Sequence, residues 1–426
     1  MRVVVSPSKI TGNLSAPASK SSMQRACAAA LLHNGTTCIF NAGISNDDKA
    51  ALNIIQHLGA KVKVNFDRVI IESKGFSSVN IIEENEISCG ESGLSFRMFA
   101  PIVALSSDTI ALSGSGSLLS RPMFFFDEVL PQLQVGIKSK CGFLPLEITG
   151  PLQPKNITID GSLSSQFLTG LLFAFAAAAK QEVTIKVNDL KSGPYIDLTL
   201  DVMRRFGNNI INKNYQEFII TPKSAVENVI EYTVEGDWSS ASFLLVAGAI
   251  SGAVKVKGLD KNSAQADKAI LLALKSCGAV INKNENSIEI SKTHLKAFTF
   301  DATDCPDLFP PLAVLASYCT GTSLITGTHR LVAKESNRAE TLKEIFGKMG
   351  IQIILEGDEM HITGGEIKSA VVSSHHDHRI AMAAAVAALG ATGSIEIENA
   401  QAINKSYPQF YNDLKKLGTE LNFIKE

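Results

Sequence analysis

Six segments of the chain repeat one arrangement of polar and apolar positions: a short polar start, then a run of small apolar residues. They are Lys20–Leu32, Glu91–Leu105, Ser164–Ala179, Trp238–Ile250, Pro306–Ser317 and His378–Leu389. One polar residue marks each start (Ser21, Ser92, Ser164, Ser239, Asp307 and Asp377), and the markers recur about every 70 residues. A run that is apolar nearly all round, of which Ala383–Leu389 is the extreme, predicts a helix buried within its domain. A second series falls between the first. Its members are amphipathic stretches such as Asp267–Cys277 and Asn337–Met349, each ending at a glycine ahead of a β-like run. Those glycines, Gly59, Gly136, Gly207, Gly278, Gly350 and Gly418, keep nearly the same period. Glycine suits the position after a helix end because positive φ is often needed there. Two interleaved series of one period predict six copies of a single unit. The unit exceeds the length of common solenoid repeats and has room for β-α-β-α-β-β. Three copies can close one compact domain. The expected fold is therefore α/β, with two similar domains, each of three β-α-β-α-β-β repeats around buried parallel helices.

A buried helix still carries free N–H groups at its N-terminus. The Ser, Asp and Gly residues around these starts suit capping and anion binding. Parallel inner helices would bring several positive helix ends to one surface of each domain, and two such surfaces facing each other would form a cleft for anions. Basic residues occur at the same places: Lys20, Arg25, Arg97, Arg121, Lys334, Arg338, Arg379 and Lys405. Several have apolar or small neighbours. A cation buried there needs an anionic partner, either a carboxylate of the chain or a ligand.

Composition narrows the picture. The 426 residues are 45% hydrophobic and 19% charged, with a net charge of −2. That length predicts two or three domains with ample core. No block of Lys and Arg appears, so a nucleic-acid partner is not expected. The seven cysteines are scattered and never spaced Cys-x-x-Cys, which argues against a disulfide framework or a zinc ribbon and for a reducing cytoplasm. The start, Met1–Pro7, is too short in apolar length for a signal peptide. The longest apolar run, Phe167–Ala179, is interrupted at Thr169-Gly170 and reads as a buried helix rather than a membrane span. His375, His376 and His378 flank Asp377, but that spacing at a helix start does not converge three imidazoles on a metal. No Gly-x-x-x-x-Gly-Lys-Ser/Thr run occurs, and Gly114-Ser115-Gly116 lacks the third glycine of a dinucleotide fingerprint.

The motifs at the helix starts are more specific. Ala18-Ser19-Lys20-Ser21-Ser22-Met23-Gln24-Arg25 resembles the first signature of the 5-enolpyruvylshikimate-3-phosphate synthase family of enolpyruvyl transferases, and Gly161–Thr169 resembles its Ser-Ser-Gln motif. Gly90–Arg97 is similar to the family's Gly-rich turn ending in Arg, and Ser120-Arg121-Pro122 to its Arg-Pro element. Ser192–Asp197, Glu235–Ser242, Pro306-Asp307, Lys334–Arg338, Asp377–Met382 and Lys405 follow in the family's order, so the resemblance spans essentially the whole chain.

The resemblance implies an enzyme that moves the enolpyruvyl group of phosphoenolpyruvate to the 5-hydroxyl of shikimate-3-phosphate. It implies that Ser21, Arg25, Ser164, Ser165, Ser192, Asp307 and Lys334 hold shikimate-3-phosphate, with Gln166 between the substrates. Lys20, Gly93, Arg121, Arg338, Arg379 and Lys405 would hold phosphoenolpyruvate. Asp307 is implied as base for the attacking hydroxyl, and Glu335, with Lys20, as proton donor to the methylene. The alternatives are an N-cap role for Asp307 and an ion pair of Glu335 with Lys334 or Arg338. The expected domains are residues 1–16 with 235–426, and 17–234. They are expected to close over the substrates. No metal or cofactor, no nucleic-acid or membrane partner and a monomeric cytoplasmic chain are expected.

Three departures stand out: Glu91 where the family often has Asn, Met98 where many members have Pro, and Asn337 for a common Asp. They predict altered binding of glyphosate, which occupies the family's phosphoenolpyruvate site. An inhibition constant equal to that of a sensitive member would contradict this. The sister transferase acting on UDP-N-acetylglucosamine generally has a Cys before its Arg-Pro element, and Gly114–Arg121 has none. A non-catalytic phosphometabolite sensor would be expected to lose Asp307 or Glu335, and both are present.

Overall fold

The structure is a computed structural model and describes residues 1–75, 86–222, 228–284, 287–332 and 334–424. Two compact units divide the chain. One comprises Met1–Pro17 with Glu235–Glu426, the other Ala18–Val234. Among the described residues the strands form six sheets of four. In one sheet Ile157–Asp160 and Val183–Asn188 are parallel, and Glu217–Ile220 pairs antiparallel with both Val183–Asn188 and Ile210–Lys213. The helix Ser165–Ala178 joins the first two strands and Gly193–Arg205 leads to the third, which is the expected β-α-β-α-β-β unit. Thr299–Asp301, Thr322–Thr326, Glu359–Thr363 and Gln352–Glu356 pair in the same pattern.

Sequence position alone does not show how the repeats at the unit boundaries are closed. Thr11–Ser15 lies parallel to Ala253–Lys257, although the whole second unit separates them in the chain. Val229–Thr233 lies parallel to Asn34–Phe40, the strand that follows the first inner helix. The N-terminal strand Arg2–Val5 sits between Ile395–Glu398 and Leu421–Ile424. The last two sheets are completed by a strand from the far end of their unit, and the first by a strand across the point where the other unit is inserted.

The six apolar runs are the inner helices Lys20–Leu31, Gly93–Val103, Ser165–Ala178, Trp238–Ser251, Phe309–Ser317 and His378–Ala388. Every residue of Gly93–Val103, Trp238–Ser251, Phe309–Ser317 and His378–Ala388 is buried. Alanine fills these positions because the helices approach closely, and enlarging one would overpack the core at a cost of roughly 1–3 kcal/mol. Gly170 marks one such approach: a Cβ there would stand 2.6 Å from the carbonyl oxygen of Arg97. No helix among the described residues is long and apolar enough to cross a membrane.

The glycine series holds at five positions. Gly59, Gly207, Gly278, Gly350 and Gly418 all have positive φ. Gly136 differs: it begins the strand Gly136–Lys140, and Gln134 takes the left-handed position with φ 64°. The amphipathic helix expected before it is broken as well. Its place is taken by the 3-10 helix Gly116–Ser120, the short helix Phe124–Val129 and the turn Pro131–Leu133. Pro122 and Pro131 lack the N–H groups a continuous helix needs.

Candidate active site

Asp307 lies in the 3-10 turn Pro306–Leu308 that leads into Phe309–Ser317. The other five inner helices are capped by side chains of Ser19, Ser92, Ser164, Asp237 and Asp377. The helix after Asp307 has no side-chain cap, so the N-cap alternative for Asp307 does not hold. Its carboxylate meets three cations instead. Arg338 Nη1 donates to Oδ1 at 2.7 Å, Lys334 Nζ to the same oxygen at 3.5 Å, and Arg379 Nη2 to Oδ2 at 3.0 Å. Burial pushes this carboxyl up, but Arg379, Lys334 and Arg338 outweigh burial and hold it well below the ordinary Asp value.

Arg338 begins the helix Arg338–Lys348 and joins three carboxylates. Besides Asp307 it donates Nη2 to Glu335 Oε2 at 2.5 Å and Nε to Asp377 Oδ2 at 2.7 Å. Burial opposes its charge, yet Asp377, Glu335 and Asp307 hold its pKa well above the usual arginine value. The ion-pair alternative for Glu335 is thus realised with Arg338. Asp377 also caps His378–Ala388 by accepting from the Arg379 N–H at 2.9 Å, and it accepts from Ser336 Oγ at 3.2 Å. Arg379 keeps Nε and Nη1 buried with no hydrogen-bond partner. Burial lowers the pKa of Lys334, and nearby Arg338 adds to this against the pull of Asp307. Lys405 ends the 3-10 helix Ala400–Lys405 and donates Nζ to the His376 carbonyl at 3.2 Å. His375 Nε2 lies 3.0 Å from Glu344 Oε2, and His378 is buried beside Asp377.

In the second unit Lys20 opens its helix and places Nζ 2.9 Å from Asp47 Oδ2. The next residue, Asp48, closes a capping box with Ser45, and burial pushes its carboxyl up to about 7. Arg97 donates Nη1 to Gln166 Oε1 at 2.9 Å, and its guanidinium lies 5.1 Å from the Phe167 ring centre. A Cβ on Gly93 would stand 2.6 Å from Arg121 Nη1 and 3.3 Å from Arg97 Nη1. The missing side chain lets two guanidinium groups reach the backbone at a helix start, a place suited to an anion. Arg121 follows the 3-10 helix Gly116–Ser120 and donates Nη2 to Ser117 Oγ at 3.2 Å. The Glu91 carboxylate packs against the same turn, where a Cβ on Gly116 would stand 2.3 Å from Oε2.

Arg25 forms a second cluster in this unit. It is 1% exposed and donates Nε to Thr199 Oγ1 at 2.9 Å, Nη1 to the Ser21 carbonyl at 2.9 Å and Nη2 to the Tyr195 carbonyl at 3.3 Å. None of these partners is a carboxylate, and burial lowers its pKa to about 10. Thr169 Oγ1 lies 3.0 Å from Thr199 Oγ1 and donates to the Ser165 carbonyl at 3.2 Å, tying Arg25 to the start of Ser165–Ala178. Ser164 Oγ accepts from the Gln166 N–H at 3.3 Å. Ser192 precedes Gly193–Arg205 in a left-handed conformation with φ 57°. A non-glycine residue pays about 1–2 kcal/mol for that conformation, and such strain gathers at functional sites.

Asp47 and Thr199 were not among the residues singled out from the sequence, and Asp377, Tyr195 and Arg97 stood in quoted motifs without a substrate or catalytic role. One signal was available. Several site contacts join residues about one repeat apart: Asp307 and Arg379 by 72, Arg97 and Gln166 by 69, Gln24 and Ser92 by 68, Gln24 and Ser95 by 71. The repeat period therefore points at Arg97 through Gln166. No comparable signal exists for the partners of Arg25.

Comparison with known proteins agrees with the geometry. The sequence model of the EPSP synthase (3-phosphoshikimate 1-carboxyvinyltransferase) family matches residues 4–414. The 3-phosphoshikimate 1-carboxyvinyltransferase of Clostridium novyi is 35% identical over 98% of this chain and 97% of its own. That of Methanocorpusculum labreanum is 35% identical over 99% of both. The solved EPSP synthase of Acinetobacter baumannii superposes with a TM-score of 0.83 at 24% identity, over 99% of this chain and 100% of its own. The enolpyruvyl transferase NikO of Streptomyces tendae superposes with 0.77 at 16%, over 99% of this chain and 98% of its own. These last two speak for the fold. With the family model and the 35% relatives spanning nearly its whole length, the chain belongs to the EPSP synthase (3-phosphoshikimate 1-carboxyvinyltransferase) family.

Proposed function

We propose that the chain carries out its family's reaction with the residues described above: it transfers the enolpyruvyl group of phosphoenolpyruvate to the 5-hydroxyl of shikimate-3-phosphate and releases phosphate. It is a transferase of aromatic amino-acid biosynthesis. Lys20, Arg121, Arg338, Arg379 and Lys405, with Gly93, hold phosphoenolpyruvate. Ser21, Arg25, Ser164, Ser165, Ser192, Asp307 and Lys334 hold shikimate-3-phosphate, and Gln166 lies between the two. The enzyme works as a cytoplasmic monomer on these small molecules and uses no metal or cofactor. The loop Gly114–Arg121, which lacks a cysteine, favours this acceptor over UDP-N-acetylglucosamine.

The observation that carries the reading is the Asp307 carboxylate among Arg338, Lys334 and Arg379, with two buried nitrogens of Arg379, Nε and Nη1, left for a ligand. Three cations make Asp307 a weak base while the site is empty. A carboxylate and a phosphate bound to the same arginines draw that charge away and strengthen the base. One such contact is worth up to about 4 kcal/mol at an effective dielectric of about 20, enough to move a pKa by more than a unit.

Asp307 then takes the proton of the 5-hydroxyl as its oxygen attacks C2, and Glu335, with Lys20, protonates the methylene. Phosphate leaves the tetrahedral intermediate as the new methyl group returns a proton. Glu335 can serve as the acid once an anion of the substrate occupies Arg338 in its place. Phosphate release measured with each substrate alone and with both tests the reading. Release is expected only with both, and release from phosphoenolpyruvate alone would overturn the transfer. Asp307→Asn is expected to lose about 10²–10⁴-fold in kcat, and full activity would remove Asp307 from the base role.

A further inference from the structure

The hairpin between the strands Ile210–Lys213 and Glu217–Ile220 turns through two left-handed residues, Asn214 with φ 54° and Tyr215 with φ 59°. The Gln216 N–H donates to the Lys213 carbonyl at 3.1 Å and closes the turn, and the Tyr215 N–H donates to Asn212 Oδ1 at 2.8 Å. Positive φ at both central positions is the hairpin geometry that favours Asn followed by Gly. A tyrosine in the glycine place is an outlier, because its Cβ crowds the carbonyl that follows. Such strain persists only where the surroundings enforce it. The Tyr215 hydroxyl donates to Asp197 Oδ2 at 2.6 Å, in the helix Gly193–Arg205. Its ring lies against the first residue of that helix: a Cβ on Gly193 would stand 3.3 Å from both Cε1 and Cζ. Immediately before it comes Ser192, buried and left-handed, whose side chain does not cap the helix.

We propose that Tyr215 is a positioning residue of the shikimate-3-phosphate site: tied to Asp197 and packed on Gly193, it holds Ser192 in the left-handed conformation that presents its hydroxyl to the substrate. The inference rests on the reading that Ser192 holds that substrate. Other contacts fix the same turn from different sides. The Lys191 N–H donates to the Gly161 carbonyl at 3.3 Å, next to the start of Ser165–Ala178. The Tyr195 carbonyl accepts from Arg25 Nη2 at 3.3 Å and from Thr199 Oγ1 at 2.9 Å. The Val187 N–H donates to the Gln216 carbonyl at 2.8 Å, so the hairpin turn is also joined to the strand that leads to Ser192. Tyr215 links that strand pair to the helix start. Two strained residues, Ser192 and Tyr215, thus face each other across Gly193, and the side-chain contacts of the second keep the first from relaxing. A site ordered before its substrate arrives loses less freedom on binding.

The test measures binding of shikimate-3-phosphate to the full chain by calorimetry, with phosphoenolpyruvate absent. Tyr215→Gly puts into the turn the residue its geometry favours after asparagine, so the urea midpoint should hold or rise. The Kd for shikimate-3-phosphate should nonetheless rise about tenfold, and the KM for that substrate with it, while kcat at saturating substrates stays within about twofold. Tyr215→Phe keeps the ring and loses only the bond to Asp197, which should raise Kd about fivefold. Adding Asp197→Ala to Tyr215→Phe should weaken binding little further, since the two residues share that bond. Should Tyr215→Gly fail to fold, Tyr215→Phe decides alone. Ser192→Ala separates the inference from the reading beneath it. Weaker binding in Ser192→Ala with a wild-type Kd in the Tyr215 variants would overturn the inference and leave Ser192 in the site. An unchanged Kd in Ser192→Ala would overturn the assignment of Ser192 to that substrate, and the inference with it.

Discussion

Lys20 Nζ sits 2.9 Å from Asp47 Oδ2, with 16% of the one side chain and 9% of the other exposed. The two lie at the starts of different helices, Lys20–Leu31 and Asn46–His57. Asp47 fixes where the ammonium points before a substrate arrives. Asp47→Asn retains the shape and loses that hold. We expect kcat/KM for phosphoenolpyruvate to fall about tenfold in Asp47→Asn, with Asp47→Glu recovering part of the loss. Steady-state kinetics across pH check this, and wild-type kinetics in Asp47→Asn would refute it.

Asp307 governs the acid limit of the first unit. Its folded pKa is depressed, so its ion pairs contribute stability above the unfolded Asp value, and that stability is lost as pH falls from about 4 toward the folded value. Urea midpoints of the wild type should drop steeply below about pH 4. In Asp307→Asn that acid drop should be visibly shallower, whereas equal slopes would show that the carboxylate contributes nothing there.

Asp48 acts in the opposite sense and at higher pH. Its folded pKa is raised to about 7, so the native state binds a proton that the unfolded chain has already lost. The associated stability is complete below the unfolded value of about 4 and declines as pH rises to about 7. Asp48→Asn does not titrate. The stability of the wild type relative to Asp48→Asn should therefore fall by about 2–4 kcal/mol across that window and stay level above it. A difference independent of pH would show that Asp48 remains ionised.

Gly93 can be probed by one methyl group. In Gly93→Ala the Cβ would stand 2.6 Å from Arg121 Nη1, the far end of a flexible side chain that can move aside. The fold should survive with little change in melting temperature, and the displaced guanidinium should raise the KM for phosphoenolpyruvate by about tenfold. An unchanged KM would place Arg121 outside that site.

Much of the architecture was legible in the sequence because its signals are local. The inner helices announce themselves as small-residue runs, and Ser19, Ser92, Ser164, Asp237 and Asp377 cap them where a polar start was visible. Gly59, Gly207, Gly278, Gly350 and Gly418 take positive φ for the reason glycine was expected there. Gly136 does not, because Pro122 and Pro131 break the preceding helix and Gln134 makes the turn. Local signals fail where a neighbour of a different kind intervenes.

By itself the sequence determined the repeat, the buried helices and the residue types at their starts, since each depends on residues within a few turns of one another. Only the tertiary structure decided which of those residues meet. Arg338 reaches Asp377 across 39 positions, and Arg25 reaches Thr199 across 174. Asp307 gave up the capping role open to it and became the centre of three cations. The physical reason is that charge and hydrogen bonding act over a few ångströms of space. Residues far apart in the chain come within that range only after the repeats have packed.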